Sequence, residues 1–472
     1  MAGSESLCLA VFAPAGKEEG SGRSRDSVCS GSSCSKYFLF PSPFKKQGGG
    51  RPPAGAGHTP LAGPRCPREP GLSRRRAAQR GRRARPGMDR ETRAFAESHF
   101  RRLRGRPAGA VGATAGRVDF IESPDSFSYA DFFKGYLLPN VPCVFSSAFT
   151  ERWGSRRRWV TPDGKPDFEH LLRNYGARRW PLLPQPHVTP CRDSSAEDVF
   201  TLPVYFSSDW LNEYWDALDV DDYRFIYMGP TGTWSPFHAD IFRSFSWSVN
   251  ICGRKKWFFF PPGQEEALRD CHGGLPYDVT SPALLDSRLY PMRKHCSPPL
   301  ELTQEAGEMV FVPSGWHHQV HNLEDTISIN HNWVNGCNLA NMWHFLQQEL
   351  RAVQQEVSEW RDTMPDWHHH CQVIMRSCSG INFEEFYHFL KIIAERRLLL
   401  LAKGMGPGTM EGGAGTGLGP QQAAFDVSRV TEVLASVVAH PDFQRLDTSV
   451  FSPQPEELLQ QLEEVVATAA SL

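Results

Sequence analysis

The chain has no C-x-x-C pair among its twelve cysteines, which argues against a zinc ribbon, and no secretory leader that would turn those cysteines into a disulfide framework. Reduced thiols in the cytoplasm, with the nucleus as the other compartment open to such a chain, are the simplest reading. No run approaches the roughly 18 uncharged apolar residues that a bilayer span needs. The opening, MAGSESLCLAVFAPAGKEEG, has no basic segment ahead of its short apolar stretch. Neither a membrane nor secretion is expected. Net charge is scarce too, at −2, but it hides an asymmetry. Residues 1–90 hold 17 Lys+Arg against 6 Asp+Glu, and the remainder 34 against 47. Phosphate binding needs clustered cations, so direct nucleic-acid binding by the acidic folded part is not expected.

What is present is enough apolar material for a substantial core: 472 residues, 40% hydrophobic and 11% aromatic. Residues 1–87 are rich in Gly, Pro, Ser and Arg with little hydrophobic periodicity, and read as a disordered basic extension. The run SRRRAAQRGRRARP near its end reads as a solvated basic tail ahead of a nuclear-import or RNA-contacting stretch. Met88 opens MDRETRAFAESHF and looks like an internal start for a shorter form. Residues 88–222 form an N-terminal α+β support region. Within it PDFEHLLRNYG and FSSDWLNEYWDAL have helical spacing, with Gly176 as a stop for the first, and residues 139–145 resemble an entry strand.

Between residues 223 and 337 the segments YRFIYMG, FSWSVNIC, KKWFFFPP, EMVFVP and TISINHNWV are short, β-branched or aromatic, and mostly bounded by turn residues. Several such strands predict a mainly β core of jelly-roll type, interrupted by a helix-and-loop insertion at about 264–299. Residues 338–402 are helical, 403–423 a Gly-rich linker, and 424–472 further helices. This helical C-terminal region is expected to cover the barrel or to form a homodimer.

His238-Ala239-Asp240 places an imidazole and a carboxylate at i and i+2, on one face of a strand. One more histidine completes a 2-His-1-carboxylate triad, whose open positions suit Fe(II) in oxygen chemistry. The spacing alone is weak evidence. With 17 His and 53 acidic residues, about two such pairs arise by chance, and His440-Pro441-Asp442 reads as one of them. A second segment strengthens the case. GEMVFVPSGWHHQVHNLEDTISINHNW runs a strand into a Pro-Ser-Gly-Trp turn and delivers His317 and His318. Adjacent histidines on a strand face opposite ways, so only one of them can bind.

The order HxD, then Gly253-Arg254-Lys255-Lys256-Trp257, then FVPSGWHH, then NL and NHW resembles the JmjC hydroxylase family over about residues 118–340. The resemblance implies a double-stranded β-helix (a cupin-like JmjC barrel) with flanking N-terminal helices. It implies Fe(II) as cofactor, with 2-oxoglutarate and O2 as co-substrates. The family pattern sets the distal ligand five residues after a proline, and Pro313 plus five is His318; the ligands are then His238, Asp240 and His318. His317 stands at a position the family gives to tryptophan and is left to pack or hydrogen-bond nearby, while His321, His331 and the run 368–370 are read as structural or solvent-facing. Lys255 matches the family lysine that receives the distal carboxylate of 2-oxoglutarate, a role chemically suited to a fixed buried cation. Lys256 has the opposite, exposed face. Ser235, Asn330, Asn332 and Tyr227 are further candidate co-substrate contacts. Ser248 departs from the family's asparagine, with Asn250 as a candidate substitute, and Trp247 is expected to form wall.

No chromatin-reader module accompanies the barrel, and the chain is similar to the small JmjC protein hydroxylases. This implies hydroxylation of a protein side chain, a lysine of a translation-machinery (termination) protein. Three alternatives stay open: a JmjC histone lysine demethylase, hydroxylation of a different residue such as Asp, Asn or Arg, and a non-catalytic cupin-like binding module.

Overall fold

The computed structural model describes residues 8–11, 88–103, 118–175, 199–218, 224–404 and 419–469. In chain order its strands are β1 (Cys8–Val11), β2 (Asp119–Ile121), β3 (Cys143–Phe145), β4 (Arg224–Gly229), β5 (Trp234–His238), β6 (Phe245–Cys252), β7 (Lys255–Phe260), β8 (Leu300–Gln304), β9 (Met309–Val312), β10 (His317–Asn322) and β11 (Thr326–Trp333). The helices are α1 (Arg90–Leu103), α2 (Tyr129–Phe132), α3 (Gly154–Arg158), α4 (Phe168–Tyr175), α5 (Trp210–Ala217), α6 (Leu339–Glu356), α7 (Trp367–Ser379), α8 (Phe383–Gly404), α9 (Pro420–Val438) and α10 (Pro455–Ala469).

From β4 onward the chain passes back and forth between two sheets, which makes the double-stranded β-helix. The larger sheet has the order β1-β4-β11-β6-β9-β3-β2 and the smaller β5-β10-β7-β8. All pairings are antiparallel except β1 with β4 and β2 with β3. Strand alternation decides what each face of the larger sheet meets. Trp247, Val249 and Ile251 of β6 join Ile327, Ile329 and Trp333 of β11 in a core shared with Phe132, Phe145, Trp153 and Phe206 from the N-terminal region. The alternate residues, Ser246, Ser248 and Asn250 with Ser328, Asn330 and Asn332, turn toward the smaller sheet. One end of the space between the sheets is closed by Val144, Val310, Val312, Trp257, Phe259 and Trp316. The insertion packs Leu268, Leu284 and Cys296 against Phe237 and Phe260 on the outer face of the smaller sheet.

Several expectations are redrawn. The support region is part of the barrel, because β3 pairs with β9 and carries β2 into the larger sheet. The entry strand begins at Cys143, after Pro142. Residues 8–11 of the N-terminal extension pair with β4; the rest of 1–87 lies outside the described residues. Helix α9 starts at Pro420, inside the stretch read as linker, because proline suits a first helical turn. Residues 405–418 of that stretch lie outside the described residues, as does Gly176. Trp247 is fully buried on the helix-facing side of β6 and is therefore no wall of the inter-sheet space.

The C-terminal helices are joined to the barrel by a buried ion cluster. Arg397 of α8 is fully buried; its Nη1 and Nη2 donate to Glu213 of α5 at 2.7 and 2.6 Å, and its Nε donates to Asp426 of α9 at 2.6 Å. Gln422 donates to the other oxygen of Asp426 at 2.7 Å, and the guanidinium lies over the Trp210 ring. Glu213 sits on a helix within the support region, and the Trp210 N–H donates to the Val334 carbonyl just beyond β11, so the cluster fastens three distant parts of the chain. Removing one member of a buried pair leaves the other charge without compensation. Arg397→Leu is therefore expected to lower stability by roughly 3–5 kcal/mol in a urea titration; a loss under about 1 kcal/mol, the size of an exposed pair, would contradict this account.

Candidate metal and co-substrate site

The geometry follows from the pairing of β10. Its residue His318 lies opposite His238 of β5 and opposite Phe259 of β7, on the face turned to the larger sheet. The two imidazole centroids are 4.4 Å apart. Asp240 follows β5 by two residues, and one ligand atom from each of His238, Asp240 and His318 lies within 4.8 Å of the others. Among the described residues this is the one such group of three. His440 and Asp442, the chance pair of the sequence, lie instead beside His368 and Arg445.

Each ligand atom is oriented by a partner. His238 Nδ1 lies 2.7 Å from the Pro236 carbonyl oxygen and His318 Nδ1 3.1 Å from that of Trp316, so with Nδ1 protonated each ring presents a free Nε2. Ser246 donates its hydroxyl to Asp240 Oδ2 at 2.6 Å. Burial, reinforced by the His238 ring and opposed by Asp240, brings the His318 pKa down to about 4, which keeps its imidazole neutral at pH 7. Two imidazoles and a carboxylate form a donor set that fits Fe(II).

His317 points the other way. It is buried against Phe237 on the outer face of the sheet, 3.4 Å from Arg243 Nη1 and 3.7 Å from a Glu265 oxygen. It does not join the group.

Lys255 stands opposite Asn322, four residues along β10 from His318 and about 13 Å away at the strand's rise. It is 4% exposed, and its Nζ donates to Ser328 Oγ at 2.6 Å. Among the described residues no carboxylate pairs with it. Burial alone pulls its pKa down to about 7, a cost that a carboxylate arriving between the sheets would offset. Lys256 faces outward and pairs with Glu301 at 2.8 Å.

Ser235 pairs with Val320 and faces inward like His238, although three residues separate the two; the β-bulge between His318 and Val320 makes this possible. Its hydroxyl is buried without a partner, as is that of Ser248. Two orphaned buried hydroxyls on inward faces, together with a buried lysine that has no carboxylate partner among the described residues, fit a polar guest, since unsatisfied buried groups are costly. Asn330 donates to Ser328, and Asn332 to Ser244 Oγ at 2.9 Å, so both amides already hold the strands they sit on. Asn250 donates to the Gly253 carbonyl at 2.7 Å, which engages the amide nitrogen expected to stand in at Ser248. Tyr227 alternates with the core residues Ile226 and Met228 and so faces the inter-sheet space. Sequence reasoning missed Ser328 and Ser246. Their strands were legible, but only cross-sheet contact reveals the roles, and serine at even spacing on a buried strand was the available signal.

The family described as "JmjC domain, hydroxylase" matches residues 225–333. The "2-oxoglutarate and iron-dependent oxygenase JMJD4" of Homo sapiens is 68% identical over 423 residues, which cover 81% of this chain and 100% of that protein. The chain belongs to the JmjC family of 2-oxoglutarate and iron-dependent oxygenases. The Mus musculus protein of the same name is 65% identical over 428 residues, covering 82% of this chain and 100% of its own length. A more distant JmjC relative, "Arginine-specific demethylase JMJ20" of Arabidopsis thaliana, is 34% identical over 337 residues, 61% of this chain and 72% of that protein.

Lys255 sets a pH dependence. Burial pulls its pKa in the folded chain to about 7 from the ordinary lysine value of 10.5, so between those limits the unfolded chain binds the extra proton. Stability of the ligand-free protein should therefore rise with pH from about 7 to about 10 through this group. Lys255→Met should remove that part of the slope in urea titrations at several pH values; an unchanged slope would mean the ammonium is better solvated than its surroundings indicate.

Proposed function

We propose that this chain hydroxylates a protein side chain, a lysine of a translation-termination protein in the cytoplasm, with His238, Asp240 and His318 as the iron ligands. The observation that carries the reading is the convergence of those three ligand atoms on the same inward face as the buried, carboxylate-free Lys255. When bound, iron with 2-oxoglutarate and O2 supplies the oxidising chemistry that replaces a C–H bond by C–OH, with succinate and carbon dioxide as co-products.

The chain's own residues bind, orient and exclude water. Pro236 and Trp316 fix the imidazoles through their carbonyls, and Ser246 fixes the carboxylate. Lys255 with Ser328 receives the distal carboxylate of 2-oxoglutarate, and Ser235, Asn330, Asn332 and Tyr227 border it. The apolar end formed by Trp257, Phe259, Val310 and Val312 excludes water from that pocket, which strengthens each charge-assisted hydrogen bond inside it.

A second reading is supported by the Arabidopsis relative's name: demethylation at an N-methyl carbon, which would release formaldehyde. A binding module without turnover is the third.

The decisive measurement is 2-oxoglutarate conversion to succinate with Fe(II), for wild type and His238→Ala, followed by mass analysis of proteins from cells with and without the enzyme. Turnover abolished by the substitution and gain of one oxygen atom on a lysine are expected. Formaldehyde release from methylated peptides would replace hydroxylation by demethylation, and equal background in both proteins would leave the binding module. Lys255→Met should weaken 2-oxoglutarate binding by about 30-fold or more, given the roughly 2–5 kcal/mol lost when a buried charge loses its partner. An unaltered KM for 2-oxoglutarate would remove Lys255 from the site.

A further inference from the structure

Asp240 sits on irregular backbone and His318 is the second residue of a strand that leaves an irregular loop, yet a site of this kind works only if its ligands are held to within about 0.5 Å. Asp240 is followed by Phe242 and Arg243, both at positive φ, 54° and 53°. Such conformations cost non-glycine residues on the order of 1–3 kcal/mol each and persist only where the surroundings enforce them. His318 is preceded by the turn 313–316, in which Gly315 has a φ of 75°. Neither segment is held by a sheet ladder.

Both converge on Ser314, which is 1% exposed. Its hydroxyl donates to the Arg243 carbonyl oxygen at 2.5 Å and accepts from Asn341 Nδ2 of α6 at 2.9 Å. Its backbone N–H donates to Asn140 Oδ1 at 2.8 Å, and its carbonyl accepts from Asn140 Nδ2 at 2.9 Å. The same loop is held again where Trp316 Nε1 donates to the Asn140 carbonyl at 2.8 Å. Asn140 itself adopts a positive φ of 57° to present both ends of its amide. On the far side of the turn the Phe242 ring is buried among the C-terminal helices, and the Arg243 guanidinium lies 5.4 Å from the Phe345 ring of α6. The left-handed turn therefore has three anchors: an apolar ring, a cation over an aromatic, and the Ser314 hydroxyl.

We propose that Ser314 is a positioning residue for the metal centre, its hydroxyl tying the turn after Asp240 to the loop before His318, with Asn341 of α6 locking that hydroxyl in place. The proposal rests on reading His238, Asp240 and His318 as metal ligands. Ser314 touches none of them. It acts by removing the relative freedom of the turn that follows the carboxylate and the loop that leads into the distal imidazole's strand, so that the site is organised before the ion arrives. It also makes α6, an element outside the barrel, part of the support of the centre.

The test is Co(II) titration of the full chain under anaerobic conditions, followed by visible absorption, which reports coordination geometry without any turnover. Ser314→Ala is expected to raise the Co(II) dissociation constant about 10-fold or more, the effect typical of losing an outer partner of a metal site, and to alter the visible band. Asn341 is exposed, so Asn341→Ala should fold normally and shift both readouts in the same direction by roughly 3-fold in affinity, below the full outer-partner effect. Tyr387→Phe deletes the 2.6 Å hydrogen bond to the Pro453 carbonyl in the C-terminal core; it should lower Tm and leave Co(II) binding as it was. Wild-type affinity and spectrum in both Ser314→Ala and Asn341→Ala would overturn the proposal, as would an equal loss in Tyr387→Phe. If Ser314→Ala does not fold, Asn341→Ala alone decides. A wild-type chain that fails to bind Co(II) overturns the metal-centre reading itself, a result distinct from variants that bind as well as wild type.

Discussion

The register of β10 is the constraint on which the site depends. Because side chains alternate along a strand, a slip of one residue would turn His318 outward and bring His317 in. Pairing on both sides resists that slip: His318 is held against His238 by β5 and against Phe259 by β7. The two faces differ enough in chemistry to reinforce the register. Outside, Phe237, Phe260 and Leu268 form an apolar cluster under the insertion, which His317 adjoins through its ring contact with Phe237. Inside, Trp257 and Phe259 pack with Val310 and Val312 of the opposite sheet. The insertion thus serves the site from behind, by giving the outer face of β10 and its neighbours something apolar to bury.

The space between the sheets is built at some expense of stability. Strands that could have buried aliphatic side chains carry Ser246, Ser248, Asn250, Ser328, Asn330 and Asn332 on one face while the other face is almost wholly apolar or aromatic. The asymmetry concentrates the hydrophobic contribution on the helix-facing side and leaves the inward side polar, with some hydroxyls unsatisfied. Buried lysine with only a serine for company belongs to the same pattern. Sites are commonly where a fold departs from its own packing rules.

How much of this was legible in the sequence depended on range. The shared face of His238 and Asp240 follows from the i, i+2 spacing on a strand, which needs only local context; strand alternation alone leaves His317 and His318 open, and the resemblance to the JmjC pattern after Pro313 implies His318. Lys255 is implied by its match to the family lysine, while strand alternation separates its face from that of Lys256. What escaped was everything set by contact across the fold. That β2 and β3 would enter the larger sheet depended on pairing with β9, about 165 residues away in the chain. The bulge that turns Ser235 inward cannot be read from WSPFH alone, and the engagement of Asn250 with the Gly253 turn appears only once β6 and β7 are joined. Trp247 was misplaced because strand alternation gives two faces without saying which is the inner one.

The Arg397 cluster bears on what the smallest working piece of this protein can be. Glu213 lies ahead of the barrel, while Arg397, which donates to it twice, and Asp426, which Arg397 joins to it, lie on helices well beyond the barrel. A fragment cut after β11 would retain every candidate ligand, yet it would leave a carboxylate on α5 without its cation and uncover the apolar side of Trp210 and Tyr214. The catalytic unit is thus larger than the segment that bears its family's signature, and the helices that follow it are a structural requirement rather than an appendage.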